Sequence, residues 1–134
     1  MYRAMISWRR YHVHDTGASA RVKQPCSLRD HRFLHADAVN LAAFLWHLRE
    51  GHPDAYRAIV ETVRLVAPFF GDFVLEPQPR QPDHLMLEWR EHGADGSVGP
   101  DALSGGTLRF ICSATLFLQP AAYLPATMII DEPE

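Results

Sequence analysis

Apolar residues recur along this chain with two different periods, and the change of period divides it. Leu41, Phe44, Leu45 and Leu48 follow one another at helical spacing, and Gly51 supplies a stop. Asn40 is the expected N-cap, its side-chain oxygen accepting an orphan backbone N–H. Pro53 suits the first turn of a second helix, whose stripe is Tyr56, Ile59, Val60, Val63 and Val66 and which Pro68 ends. Residues 37–68 therefore predict a helical hairpin turning at His52, with stripes that need a partner surface. Beyond Phe69 the period becomes two. Residues 73–76 predict a strand and residues 85–89 its antiparallel neighbour, while Pro77, Pro79 and Pro82 exclude the connection from a central strand.

The remaining segments complete an α/β pattern. Residues 92–100 are polar and glycine-rich, a turn. Ser104 is a natural N-cap for a helix reaching Leu118, with Leu108, Ile111, Cys112, Thr115, Leu116 and Leu118 as its apolar surface. The run Thr127, Met128, Ile129, Ile130 followed by Asp131 and Glu132 predicts a buried parallel strand with carboxylates at its C-terminal edge. Near the start, Tyr11, Val13 and Asp15 alternate with His12 and His14 as in a short strand, and residues 16–30 read as a polar loop broken by Gly17 and Pro25.

Composition narrows the picture only modestly. The 134 residues make room for one domain, and 47% hydrophobic content suffices for a core. A net charge of −3 points to neither a nucleic-acid nor a membrane partner. Cys26 and Cys112 are expected to be reduced thiols. Without a signal-peptide pattern or an apolar run of membrane-spanning length, the cytoplasm is the expected location. Lys23 is the only lysine, and no Gly-x-x-x-x-Gly-Lys-Ser/Thr loop occurs.

Two motifs carry chemistry. In Leu103-Ser104-Gly105-Gly106-Thr107 a short hydroxyl and two glycines stand at a helix N-terminus, where free N–H groups and the helix dipole favour an anion such as a γ-phosphate. The bland alternative is a simple cap before a core helix. In Met128-Ile129-Ile130-Asp131-Glu132-Pro133, an aspartate at a strand end can hold Mg²⁺ and the following glutamate can activate water. Its bland alternative is an exposed acidic segment. One helix, one return loop and one strand fill the interval between the motifs, and this order strengthens both.

These motifs, together with residues 40–45, 67–73, 87–89, 103–110 and 130–134, resemble the bacterial AAA-type ATPases related to RecF and SMC heads, members of the P-loop NTPase superfamily. The resemblance runs from about Tyr11 onward. It implies a partial ABC-type head over residues 1–134: an N-terminal segment (1–36), the helical hairpin (37–68), and the strand pair, signature helix and Walker B strand (69–134). Ser104, Gly105, Gly106 and Thr107 would then contact ATP held by an opposing protomer, with Arg109 on the same helix coupling binding to head movement or forming a surface ion pair. Asp131 would serve Mg²⁺ and Glu132 would be the catalytic base. Lacking the P-loop, the sequence reads as the distal part of such a head, inactive alone. Its expected partner is a P-loop-bearing half or a homologous head, with nucleic acid reached only through a parent complex.

Two other readings stand beside it. One is a non-catalytic interaction module docking on a separate P-loop half. The other is a metal-dependent hydrolase using His12, His14 and Asp15, since two histidines share one face of a strand, although no further ligand group follows at a recognisable spacing. His31 and His35 read as solvated surface, and His47, His52, His84 and His92 as scattered structural or exposed residues. Arg3, Arg9, Arg10, Arg21, Arg29 and Arg32 crowd the first quarter as a solvated face or a DNA-facing patch.

Overall fold

The computed structural model describes residues 8–11, 21–35, 37–121 and 127–130, which form a mixed α/β arrangement. Among the described residues there are three α-helices, α1 (Leu41–Gly51), α2 (Pro53–Val66) and α3 (Gly105–Leu118). The strands are β1 (Trp8–Tyr11), β2 (Cys26–Ser27), β3 (Phe70–Val74), β4 (Pro77–Gln78), β5 (Gln81–Leu85), β6 (Glu88–Glu91) and β7 (Thr127–Ile130). They pair in three small groups: β1 with β7 in parallel, β3 with β6 antiparallel, and β2-β5-β4 in that order.

The hairpin of α1 and α2 follows its hydrophobic spacing. Pro53 starts α2 and Asp54 complements the positive end of its dipole. Tyr56, Ile59, Val60 and Val63 are buried along one face, each of the aliphatic side chains stabilising the fold by about 1.5–3 kcal/mol. Val66, expected in the same stripe, is exposed because the helix ends there and Ala67 takes the buried position instead. Helix α2 packs against α1 on one side and α3 on another. Phe44, Phe70, Phe73, Leu87 and Ile111 meet in one hydrophobic core.

Asn40 occupies the cap position of α1, but its side chain does not cap. Its Oδ1 accepts from the His35 N–H at 2.9 Å, while Nδ2 donates to the carbonyls of Asp30 at 2.9 Å and Phe33 at 2.7 Å. Asn40 is fully buried and fastens the preceding loop to the helix start. In the same turn Ala38 holds a left-handed φ of 59°, a conformation that is uncommon for residues with a Cβ.

The strand pair differs from expectation in its bounds. The partner of β3 is β6, with Phe73 opposite Trp89 and Val74 opposite Glu88, whereas Leu85 belongs to β5. The apolar run at 85–89 is thus divided between two sheets. A register shift between Phe70 and Asp72 lets both Phe70 and Phe73 be buried despite their odd spacing. Gly71 sits at that irregularity, where an added Cβ would lie 3.0 Å from the Arg90 and Glu91 backbone.

The proline-rich connection also departs from expectation, because it contributes β4 and β5, and β5 is the middle strand of its sheet. Pro82 is accommodated because β2 reaches only the far end of β5, pairing Cys26 with Leu85 and Ser27 with His84, and its missing N–H is not required there. Strand β2 falls in the segment expected to be loop, where buried Val22 and Cys26 anchor it to the core.

Candidate functional site

The glycine-rich tip of α3 is built from the turn that precedes it. Residues Pro100–Ala102 form a 3-10 turn closed by the Leu103 N–H donating to the Pro100 carbonyl at 3.1 Å. Pro100 and Leu103 are buried and plug this turn into the core. Two side chains hold it from outside: Trp89 Nε1 donates to the Gly99 carbonyl at 3.2 Å, and Lys23 Nζ donates to Asp101 Oδ1 at 3.0 Å. The single lysine of the chain is buried and serves this contact. No P-loop motif surrounds Lys23 in the sequence, and its spacing from Asp101 gives no sign of this contact.

Ser104 then leaves the turn in extended geometry and caps α3 as expected. Its Oγ accepts from the Thr107 N–H at 3.1 Å and donates to Thr107 Oγ1 at 2.9 Å. Ser104 and Gly106 are exposed, with Gly105 and Thr107 half-buried between them. A Cβ added at Gly106 would meet nothing within 4 Å among the described residues. Packing therefore gives no reason for glycine at 106, while the open space leaves room for an approaching group.

Arg109 follows Gly105 by four residues, placing both on one side of the helix. Side chains on a helix lean toward its N-terminus, here toward the tip. Arg109 is half-buried, and its Nε is shielded from solvent with no hydrogen-bond partner among the described residues. A buried donor left unsatisfied costs about 1–3 kcal/mol. The structure thus brings Ser104, Gly105, Gly106, Thr107 and Arg109 together at one helix end. Strand β7, which follows α3, runs parallel to β1 with Ile130 opposite Tyr11. Asp131 and Glu132, and likewise His12, His14 and Asp15, lie outside the described residues.

Several groups away from the tip were not singled out by sequence. Arg49, Arg57 and Arg64 line a groove beside α2 together with Tyr56, Glu61 and Asp72. The seven-residue spacing of Arg57 and Arg64 puts them on one helical face, a signal that was available. Histidines that look scattered in sequence converge: His31 stacks on His47 with ring centres 4.5 Å apart, and His52 lies 5.8 Å from His47. Burial, then the neighbouring His31 and His52, hold the His47 pKa below its ordinary value. His35 is not simply solvated, since its Nε2 contacts Asp30 Oδ2 at 2.7 Å. Among the described residues no group of three or more histidine, cysteine, aspartate or glutamate side chains is arranged to hold a metal ion.

Cys26 and Cys112 are both free and buried. Burial raises the Cys26 pKa and pushes that of Cys112 up to about 12, so neither is poised as a nucleophile. Among the described residues, no helix is long and apolar enough to cross a membrane. Comparison with protein-family models, curated proteins and solved structures finds no match to this chain.

Proposed function

We propose that this chain supplies the signature-loop and Walker B portion of an ABC-like ATPase head, completing a nucleotide site whose P-loop comes from a partner. The observation that carries the reading is the tip of α3, where Ser104 and Gly106 are exposed around half-buried Gly105, with the Arg109 Nε, unsatisfied among the described residues, one turn behind it. Free N–H groups at a helix start favour anions, and a half-buried guanidinium with no carboxylate partner among the described residues adds positive charge on the same side. The helix-to-strand order from α3 to β7, and the acids that follow in sequence, also support it. A parallel strand pair is ordinarily one part of a larger covered sheet, which agrees with a partner lobe adding strands beside β1 or β7.

On this reading Ser104, Gly105 and Gly106 contact the γ-phosphate of ATP held by the partner, and Arg109 adds charge stabilisation. Asp131 would hold Mg²⁺, which would offset charge on the phosphate oxygens, and Glu132 would accept a proton as water attacks phosphorus and the bond to the departing ADP oxygen breaks. Positioning and electrostatics supply most of the rate enhancement in such a reaction.

The test is phosphate release after mixing the chain with a P-loop-bearing head encoded beside it. Release is expected to exceed that of either protein alone, and Glu132→Gln is expected to abolish the excess. Gly106→Ala is expected to abolish it as well while leaving the fold intact, because its methyl group meets nothing within 4 Å among the described residues. Stable binding of the partner without any excess hydrolysis would favour a non-catalytic interaction module. Hydrolysis undiminished by Glu132→Gln would remove the assigned base.

A further inference from the structure

The groove beside α2 has a volume of about 360 Å³ and an unusual share of arginine, with Arg49, Arg57 and Arg64 in its lining. Two of these guanidiniums are fixed by neutral acceptors. Arg64 Nε donates to the Gly71 carbonyl at 2.9 Å, and an Arg49 terminal nitrogen donates to the Leu75 carbonyl at 3.3 Å. A carbonyl orients a guanidinium without cancelling its charge. The carboxylates near them are weak partners: Glu50 lies 3.5 Å from Arg49 and Asp54 lies 3.6 Å from Arg57, both exposed. Exposed pairs of that kind contribute little. Asp72 is engaged elsewhere, its Oδ1 accepting from the Tyr56 hydroxyl at 2.7 Å and the Phe73 N–H at 2.8 Å. The lining therefore keeps three cations against two carboxylates, with Arg49 and Arg64 preorganised.

We infer that this groove binds a small, multiply charged oxyanion of the phosphate class. Its volume falls at the low end of small-molecule sites, which span about 300–1,000 Å³. The planar guanidinium fork matches phosphate oxygens in pairs. A continuous nucleic-acid backbone fits less well. Glu61 lies between Arg57 and Arg64 on the face of α2 that would have to track it, and Tyr56, the aromatic residue of the lining, is buried rather than offered for stacking. A singly charged anion would gain little in an open groove screened by salt.

Calorimetric titration with inorganic pyrophosphate at low ionic strength tests this site. One saturable site is expected, weakened about tenfold by Arg57→Gln, which loses a charge-assisted contact. Glu61→Gln is expected to tighten it about threefold by removing a repelling carboxylate. Both side chains are exposed, so the melting temperature serves as a control that neither variant disturbs the fold. Gly106→Ala, at the other candidate anion site, is expected to leave pyrophosphate affinity unchanged, which separates this groove from the α3 tip. The inference is overturned by the absence of saturable binding at millimolar pyrophosphate, or by affinity indifferent to both groove variants. Loss of binding in Gly106→Ala alone would also overturn it. So would a polyglutamate peptide that occupies the groove where pyrophosphate does not, which would make the ligand an acidic peptide.

Discussion

Helices α1 and α3 begin with the same kind of signal and use it in opposite ways. Asn40 and Ser104 are both favoured cap residues. At α1 the side chain is wholly buried and spends three hydrogen bonds on the loop behind it, so the helix start is sealed. At α3 the side chain is exposed and turns forward to Thr107, and a Cβ at Gly106 would meet nothing within 4 Å among the described residues. The first start is a structural joint, and the second is a free surface held still from behind by Leu103, Pro100 and Lys23. A cap residue in sequence therefore says where a helix begins, while burial decides whether its end is available for binding.

The contrast can be broken by substitution, and the largest effect should come at the sealed end. Asn40→Ala orphans the His35 N–H and the carbonyls of Asp30 and Phe33, and is expected to cost about 3 kcal/mol in chemical denaturation. A cost no greater than that of Ser104→Ala would dissolve the distinction. Next comes a pair of glycines. Gly71→Ala forces a methyl group to 3.0 Å from the β6 backbone and is expected to cost about 2 kcal/mol. Gly106→Ala, by contrast, should be neutral or stabilise by about 0.5 kcal/mol, since alanine is the better helix former and nothing obstructs it. Ser104→Ala removes one exposed cap and is expected to cost about 1 kcal/mol, readable as a shift of the denaturation midpoint.

The smallest effect expected is a pH dependence farther along the helix that Asn40 starts, where His31 stacks on His47. Because the folded state lowers the His47 pKa, the unfolded chain takes up this proton at higher pH than the folded protein does. Stability from this source is intact above the ordinary histidine pKa of about 6.5 and declines as pH falls below it, until the folded group is itself protonated. His47→Gln should flatten that part of a stability-against-pH curve, while Ser104→Ala should leave its shape unchanged. A curve equally steep in His47→Gln would remove the stacked histidines as its cause.

How much could be read in advance follows from the range of the interactions involved. The bounds of α2 and α3 were legible because Pro53, Pro68, Ser104 and Pro120 punctuate strongly periodic stripes. The strand pairings were less so, since the choice between β5 and β6 for the run at 85–89 depends on partners at 26–27 and 70–74, remote in sequence. The order of Ser104-Gly105-Gly106 before an apolar strand and two acids is likewise visible in the sequence, and it supports the ATPase proposal. The orphaned Arg109 Nε was not, because solvent exclusion is a property of the packed molecule. The three arginines of the groove escaped notice for a related reason. Arg49 comes from a different helix, and only the fold sets it beside Arg57 and Arg64.

Local chemistry in the sequence by itself determined the helices, their starts and stops, and the candidate anion-binding tip, since caps, prolines and apolar periods act within a few residues. Tertiary structure alone decided that Asn40 is a buried fastener, that Lys23 braces the turn before Ser104, and that Gly71 is confined while Gly106 is free. Those outcomes depend on which distant atoms share the same few ångströms of space, and spacing along the chain does not encode that.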